Sequence, residues 1–173
     1  MKRFALAVAL CLPLAVAAGC DDSPTNPSDD TPTFTMALTP ANEVPPVTGP
    51  EATGSGNVTI KMNITRNASN VITAATVDFN VTMTGFPAST NITIAHIHEA
   101  AAGANGPIVV NTGIASGQVT LTNGAGSFTR NAINATDLAA IQRILDNPSA
   151  FYFNVHSTAN PGGVIRAQLV RTQ

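Results

Sequence analysis

Val58-Thr59-Ile60-Lys61-Met62-Asn63-Ile64-Thr65 and Val77-Asp78-Phe79-Asn80-Val81-Thr82-Met83-Thr84 decide the fold of this chain. In each stretch an apolar side chain alternates with a polar one without a break. Successive side chains of a strand point to opposite faces, so each stretch has one dry face and one wet face. A helix would need apolar residues three apart as well as four apart, and polar residues stand there instead. Working outward, shorter runs predict further strands at 34–38, 92–98, 107–111, 117–122, 150–156 and 163–170. Clusters such as Asn123-Gly124 and Asn160-Pro161-Gly162-Gly163 supply the turns between them.

One segment has a different period. After Thr136-Asp137, the residues Leu138, Ile141, Ile144 and Leu145 fall on one helical face, with Thr136 placed to cap the start and Asn147-Pro148 to end it. The expectation is an all-β fold: an antiparallel β-sandwich or squashed barrel of about eight strands, with one short helix near 136–146, lying as a lid. Thr, Asn, Ala, Val and Ile dominate, there is no Trp and only one Tyr, and that mixture favours strands.

The first residues have another character. Lys2 and Arg3 precede an uncharged apolar run from Phe4 to Ala18, which closes in Val16-Ala17-Ala18-Gly19-Cys20 and turns at once to Asp21-Asp22. A basic start, a short apolar middle and small residues at the end make an export leader. The run is too short for the roughly 20 residues that cross a bilayer as a helix. Cys20 at the first mature position resembles a bacterial lipobox, which implies that its thiol is acylated. The expected organisation is a leader at 1–19, a lipidated Cys20 with a disordered tether over 20–32, and a β domain over 33–173. This places the protein outside the cytoplasm, lipid-anchored to the bacterial cell envelope on the periplasmic or surface face of the membrane. Without Cys11 and Cys20 the mature domain has no thiol, so no disulfide supports it.

Charge excludes several partners. Four of the ten acids, Asp21, Asp22, Asp29 and Asp30, lie in the tether, and Lys2 and Arg3 lie in the leader. The body then carries equal numbers of acids and bases, scattered singly. Nucleic acid needs a Lys/Arg stripe, so no nucleic-acid partner is expected. The membrane partner is reached through Cys20 and not through a polybasic patch. Nucleophile elbows and phosphate loops are missing from the sequence.

The three histidines of the chain stand in two patterned places. In Ala95-His96-Ile97-His98 the two imidazoles share a strand face. In Phe151-Tyr152-Phe153-Asn154-Val155-His156 the dry face is Phe151, Phe153 and Val155, and Tyr152, Asn154 and His156 share the other. In the last strand Ile165, Ala167 and Leu169 are placed inside, which leaves Arg166 and Gln168 beside the polar set.

These segments, together with Asn42-Glu43-Val44-Pro45-Pro46, Gly54-Ser55-Gly56, Asn105-Gly106-Pro107, Asn154-Val155-His156-Ser157-Thr158 and Ile165-Arg166-Ala167-Gln168-Leu169, resemble the CHRD domain. That module is named after the extracellular protein chordin and is common in bacterial secreted proteins. The resemblance runs from Leu38 to Leu169 in the expected order. Two positions depart from it. Glu99 stands where the family tends to have Gly, and Val164 where it tends to have Glu before Ile-Arg. Arg166 then needs another acid, with Glu99 and Glu43 the candidates.

Three uses of this polar set compete. His96, His98 and His156 have the ligand chemistry of a mononuclear zinc or copper site, with which a metal-dependent activity would be compatible. Alternatively they form a hydrogen-bonded cluster with Tyr152, Asn154, Arg166, Glu99 and Glu43 that fixes strand register. Catalysis without metal has the least to recommend it, since no nucleophile or paired carboxylates are evident. The expectation is a non-catalytic binding or structural module for a protein or other envelope ligand, not an enzyme, with no certain cofactor and with zinc or copper as the alternative.

Overall fold

The computed structural model describes residues 31–173. The leader at 1–19, Cys20 and the tether up to residue 30 lie outside the described residues. Pro32, at the end of the expected tether, is buried, and its carbonyl accepts the Met62 N–H at 3.0 Å.

The described residues form nine strands and one α-helix: β1 (Thr33–Leu38), β2 (Ser55–Arg66), β3 (Ile72–Thr84), β4 (Asn91–Glu99), β5 (Ile108–Asn111), β6 (Val119–Thr120), β7 (Gly126–Asn134), α1 (Leu138–Asp146), β8 (Phe151–Ser157) and β9 (Ile165–Gln168). They make two antiparallel sheets. One has the order β1-β2-β3-β7, and the other β5-β4-β8-β9 with β6 paired to β4. The sheets stack as a sandwich and do not close into a barrel, which decides between the two expected forms. Along one side the chain stitches the layers: Thr39 and Arg166 exchange backbone hydrogen bonds at 3.2 and 3.1 Å, and Thr35 N–H reaches the Val170 carbonyl at 3.3 Å.

The alternation read in β2 and β3 is realised residue by residue. Val58, Ile60 and Met62 on β2 and Val77, Phe79, Val81 and Met83 on β3 are buried between the sheets. Their neighbours Asn57, Lys61, Asn63, Asn80 and Thr82 face water. From the other sheet come Ala95, Ile97, Phe151, Phe153, Val155, Ile165, Ala167 and Leu169. Phe79 and Phe153 stack across the layers with ring centroids 5.8 Å apart. Each such buried aromatic or aliphatic side chain contributes about 1.5–3 kcal/mol.

Strand β7 was not among the expected elements. Its apolar residues are few, and a register shift in its pairing with β3 breaks the alternation. At the break Ala132 has φ +54°, and its N–H donates to Asp78 Oδ1 at 2.7 Å. The expected strand 117–122 contracts to the two residues of β6.

Helix α1 buries Ala140, Ile141 and Ile144. Its cap is Asp137, not Thr136: the Asp137 carboxylate accepts the Ala140 N–H at 2.8 Å. The helix begins at Leu138, one residue later than a Thr136 cap requires, and a carboxylate there also meets the positive end of the helix dipole. Among the described residues no helix is long and apolar enough to cross a membrane.

Candidate functional site

The site lies on the outer face of the second sheet. Register places His96 opposite Asn154, His98 opposite Tyr152, and Asn154 opposite Arg166. A shift between Ile92 and Ile94 resets β4, so that Ala95 and Ile97 point into the core and His96 and His98 point away from it. In an ordinary sandwich this face would be wet. Here every residue of β8 is buried, and His96, His98, His156, Asn154 and Arg166 are all under 9 % exposed. Three loops cover them: residues 39–47, residues 100–107, and the turn 157–163.

Two of these loops reach the histidines through a backbone carbonyl, and the 39–47 loop reaches Asn154 through the Glu43 side chain. His98 Nδ1 lies 2.8 Å from the Gly106 carbonyl, and His156 Nδ1 lies 2.8 Å from the Pro161 carbonyl. A carbonyl only accepts, so both Nδ1 atoms carry the proton and both Nε2 atoms present lone pairs. His98 Nε2 is 3.1 Å from His96 Nδ1, and His156 Nε2 is 3.1 Å from Asn154 Oδ1. His96 Nε2 is buried without any partner. The candidate ligand atoms of the three rings lie within 4.8 Å of one another. Burial holds all three imidazoles in the neutral form. His96 is pushed down to about 4 by burial, with repulsion from His156 and His98 adding to it. Burial likewise lowers His98 and His156.

Gly106 allows the 100–107 loop to approach so closely: a Cβ there would run into the Glu99 carbonyl oxygen. Gly163 does the same for Glu43, whose carboxyl lies 2.5 Å from where a Gly163 Cβ would stand.

The Tyr152 ring contacts both His98 and Arg166. His98 stacks on it at 4.7 Å with an interplanar angle of 3°. The Arg166 guanidinium lies 3.3 Å from the tyrosine ring centroid, a cation–π contact. Arg166 is 1 % exposed, and its donors reach Asn105 Oδ1 at 3.0 Å and the Ala104 carbonyl at 2.6 Å. Asn105 in turn donates to the Val44 carbonyl at 2.8 Å, tying two covering loops together.

The acids separate. Glu43 joins the cluster: it is 4 % exposed, hydrogen-bonds Asn154, and leaves Oε1 without a partner. Burial raises its carboxyl to about 7, although the Arg166 charge pulls the other way. Glu99 does not join. It turns to the surface and pairs with Arg143 of α1 at 2.9 and 2.7 Å, so the expected Glu99–Arg166 pairing is not formed. Val164, standing where the family tends to have Glu, is fully buried, and its N–H donates to the Val155 carbonyl at 2.7 Å. Asn105 and the loop carbonyls satisfy Arg166 in place of an acid.

Sequence reasoning missed the carbonyls of Gly106 and Pro161, which carry no side-chain signal. It also missed Glu51, a 6 % exposed carboxylate that accepts from Ser157 Oγ and Asn160 Nδ2 at 2.5 Å each and pins the 157–163 turn.

The family model of the CHRD domain matches residues 34–169, and the chain belongs to that family. No curated protein and no solved structure matches the chain.

Proposed function

We propose that this protein is a non-catalytic CHRD module, held at the bacterial cell envelope by a lipid on Cys20, that binds one zinc or copper ion through His96, His98 and His156. The carrying observation is the pair of Nδ1–H groups fixed on the Gly106 and Pro161 carbonyls. Metal-ligating histidines typically donate their other ring nitrogen to such an acceptor, which fixes the tautomer and aims the lone pair. The approach of His96 Nδ1 to within 3.1 Å of the His98 Nε2 lone pair supports the same reading, since both atoms can face one ion. Arg166 stands close by and opposes the added charge, which favours copper in its monovalent state over zinc. The basic-apolar-small leader at 1–19, directly before Cys20, supports the anchor.

The test uses the full chain expressed in a bacterium without tag histidines, purified in detergent and stripped of metal. Mass spectrometry reads cleavage before Cys20 and the added acyl mass. Equilibrium dialysis against zinc and copper is expected to give one ion per chain, lost in His156→Ala. Equal binding by wild type and a variant lacking all three histidines would sink the metal reading and leave the histidines as a register-setting polar cluster.

A further inference from the structure

Asn154 stands between two chemistries. Its side-chain amide hydrogen-bonds the Glu43 carboxyl, and its Oδ1 faces the imidazoles. That oxygen is 3.1 Å from His156 Nε2. The His156 proton sits on Nδ1 against Pro161, so two lone pairs face each other across this gap. Two acceptors at that distance are stable when a cation lies between them. Zinc in tetrahedral coordination with ligands at about 2.0–2.1 Å places neighbouring ligand atoms about 3.3 Å apart. The Asn154–His156 and His96–His98 separations, both 3.1 Å, match two edges of such a tetrahedron.

Resting on the three-histidine reading above, we propose that Asn154 Oδ1 is the fourth ligand and closes the site. Amide oxygens serve as weak ligands to copper. Glu43 then orients Asn154 as the Gly106 and Pro161 carbonyls orient His98 and His156, so each of these three ligands has a fixed outer partner. A closed four-coordinate site binds an ion without offering a position to substrate, whereas catalytic sites keep one position open. A site closed in this way holds metal without turning anything over.

Cobalt(II) and azide test it on the full chain. Wild type loaded with cobalt(II) is expected to show a four-coordinate spectrum that azide does not alter. Asn154→Ala is expected to bind azide one-to-one and to hold cobalt(II) at least about 10-fold more weakly, since loss of a ligand costs no less than loss of a group that supports one. Asn154→Asp keeps an oxygen in place and should remain indifferent to azide. Azide binding by wild type overturns the proposal even if Asn154→Ala does not fold. An unchanged spectrum in Asn154→Ala overturns it as well. Wild type that takes up neither cobalt(II), zinc nor copper fails at the earlier step, and the three-histidine reading falls together with this one.

Discussion

Replacing Glu43 by Gln gives this fold its most informative test, because it isolates one buried proton. Glu43 is 4 % exposed, and its Oε1 has no partner, so burial holds the carboxyl protonated up to about 7 instead of the ordinary 4.5. Between those values the folded protein keeps a proton on Glu43 that the unfolded chain has lost. Stability from this group is fully present below 4.5 and is lost as pH rises through about 7. At about 1.4 kcal/mol per pH unit for one proton, the loss over the window comes to about 3 kcal/mol. The histidines run the other way. His96 stays neutral down to about 4 against an ordinary 6.5, so its stability is full above 6.5 and is lost as pH falls towards 4. His98 and His156 act in the same direction. Wild type therefore has opposed slopes between 4.5 and 6.5, and Gln at 43 removes only the Glu43 term. Urea unfolding of metal-free wild type and Glu43→Gln at several pH values from 4.5 to 7.5, with a chelator present, reads the difference. Gln should gain on wild type by about 3 kcal/mol across the range, most of it between 4.5 and 7. A difference that does not change with pH would mean that Glu43 ionises as if in water, and the account of a dry polar face would be wrong.

Other substitutions probe the remaining joints. Gly106→Ala drives a methyl into the Glu99 carbonyl and displaces the acceptor of His98 Nδ1, so copper or zinc affinity should fall about 10- to 100-fold in a competition titration. Arg166→Met leaves the Ala104 carbonyl and Asn105 without their donor, and calorimetry should register a loss of about 3 kcal/mol. Asp137→Ala should cost about 1 kcal/mol through the lost helix cap, with Thr136→Ala close to neutral in the same denaturation assay.

Much of the fold is written in local sequence. The strict alternation of β2 and β3 fixes which side chains are buried, because a strand has only two faces and water selects between them. The helix was legible from the spacing of Leu138, Ile141, Ile144 and Leu145, and the shared faces of His96 with His98 and of Asn154 with His156 follow from the same period of two. Strand β7 was not legible, since its pairing depends on a bulge anchored by Asp78 from another strand.

What tertiary structure alone decided is the dryness of the second sheet's outer face. A polar strand face reads as solvent-exposed from sequence, and nothing local reports that the loops at 39–47, 100–107 and 157–163 fold over it. Those loops are held by contacts between residues far apart in the chain, such as Arg166 with Asn105 and Asn105 with Val44. The same long-range packing sent Glu99 to Arg143 and kept Glu43 inside, although both acids had equal claims on Arg166 from sequence. Sequence supplied the imidazoles, and only the covering loops, by removing water and offering two carbonyls, aim their lone pairs at one another.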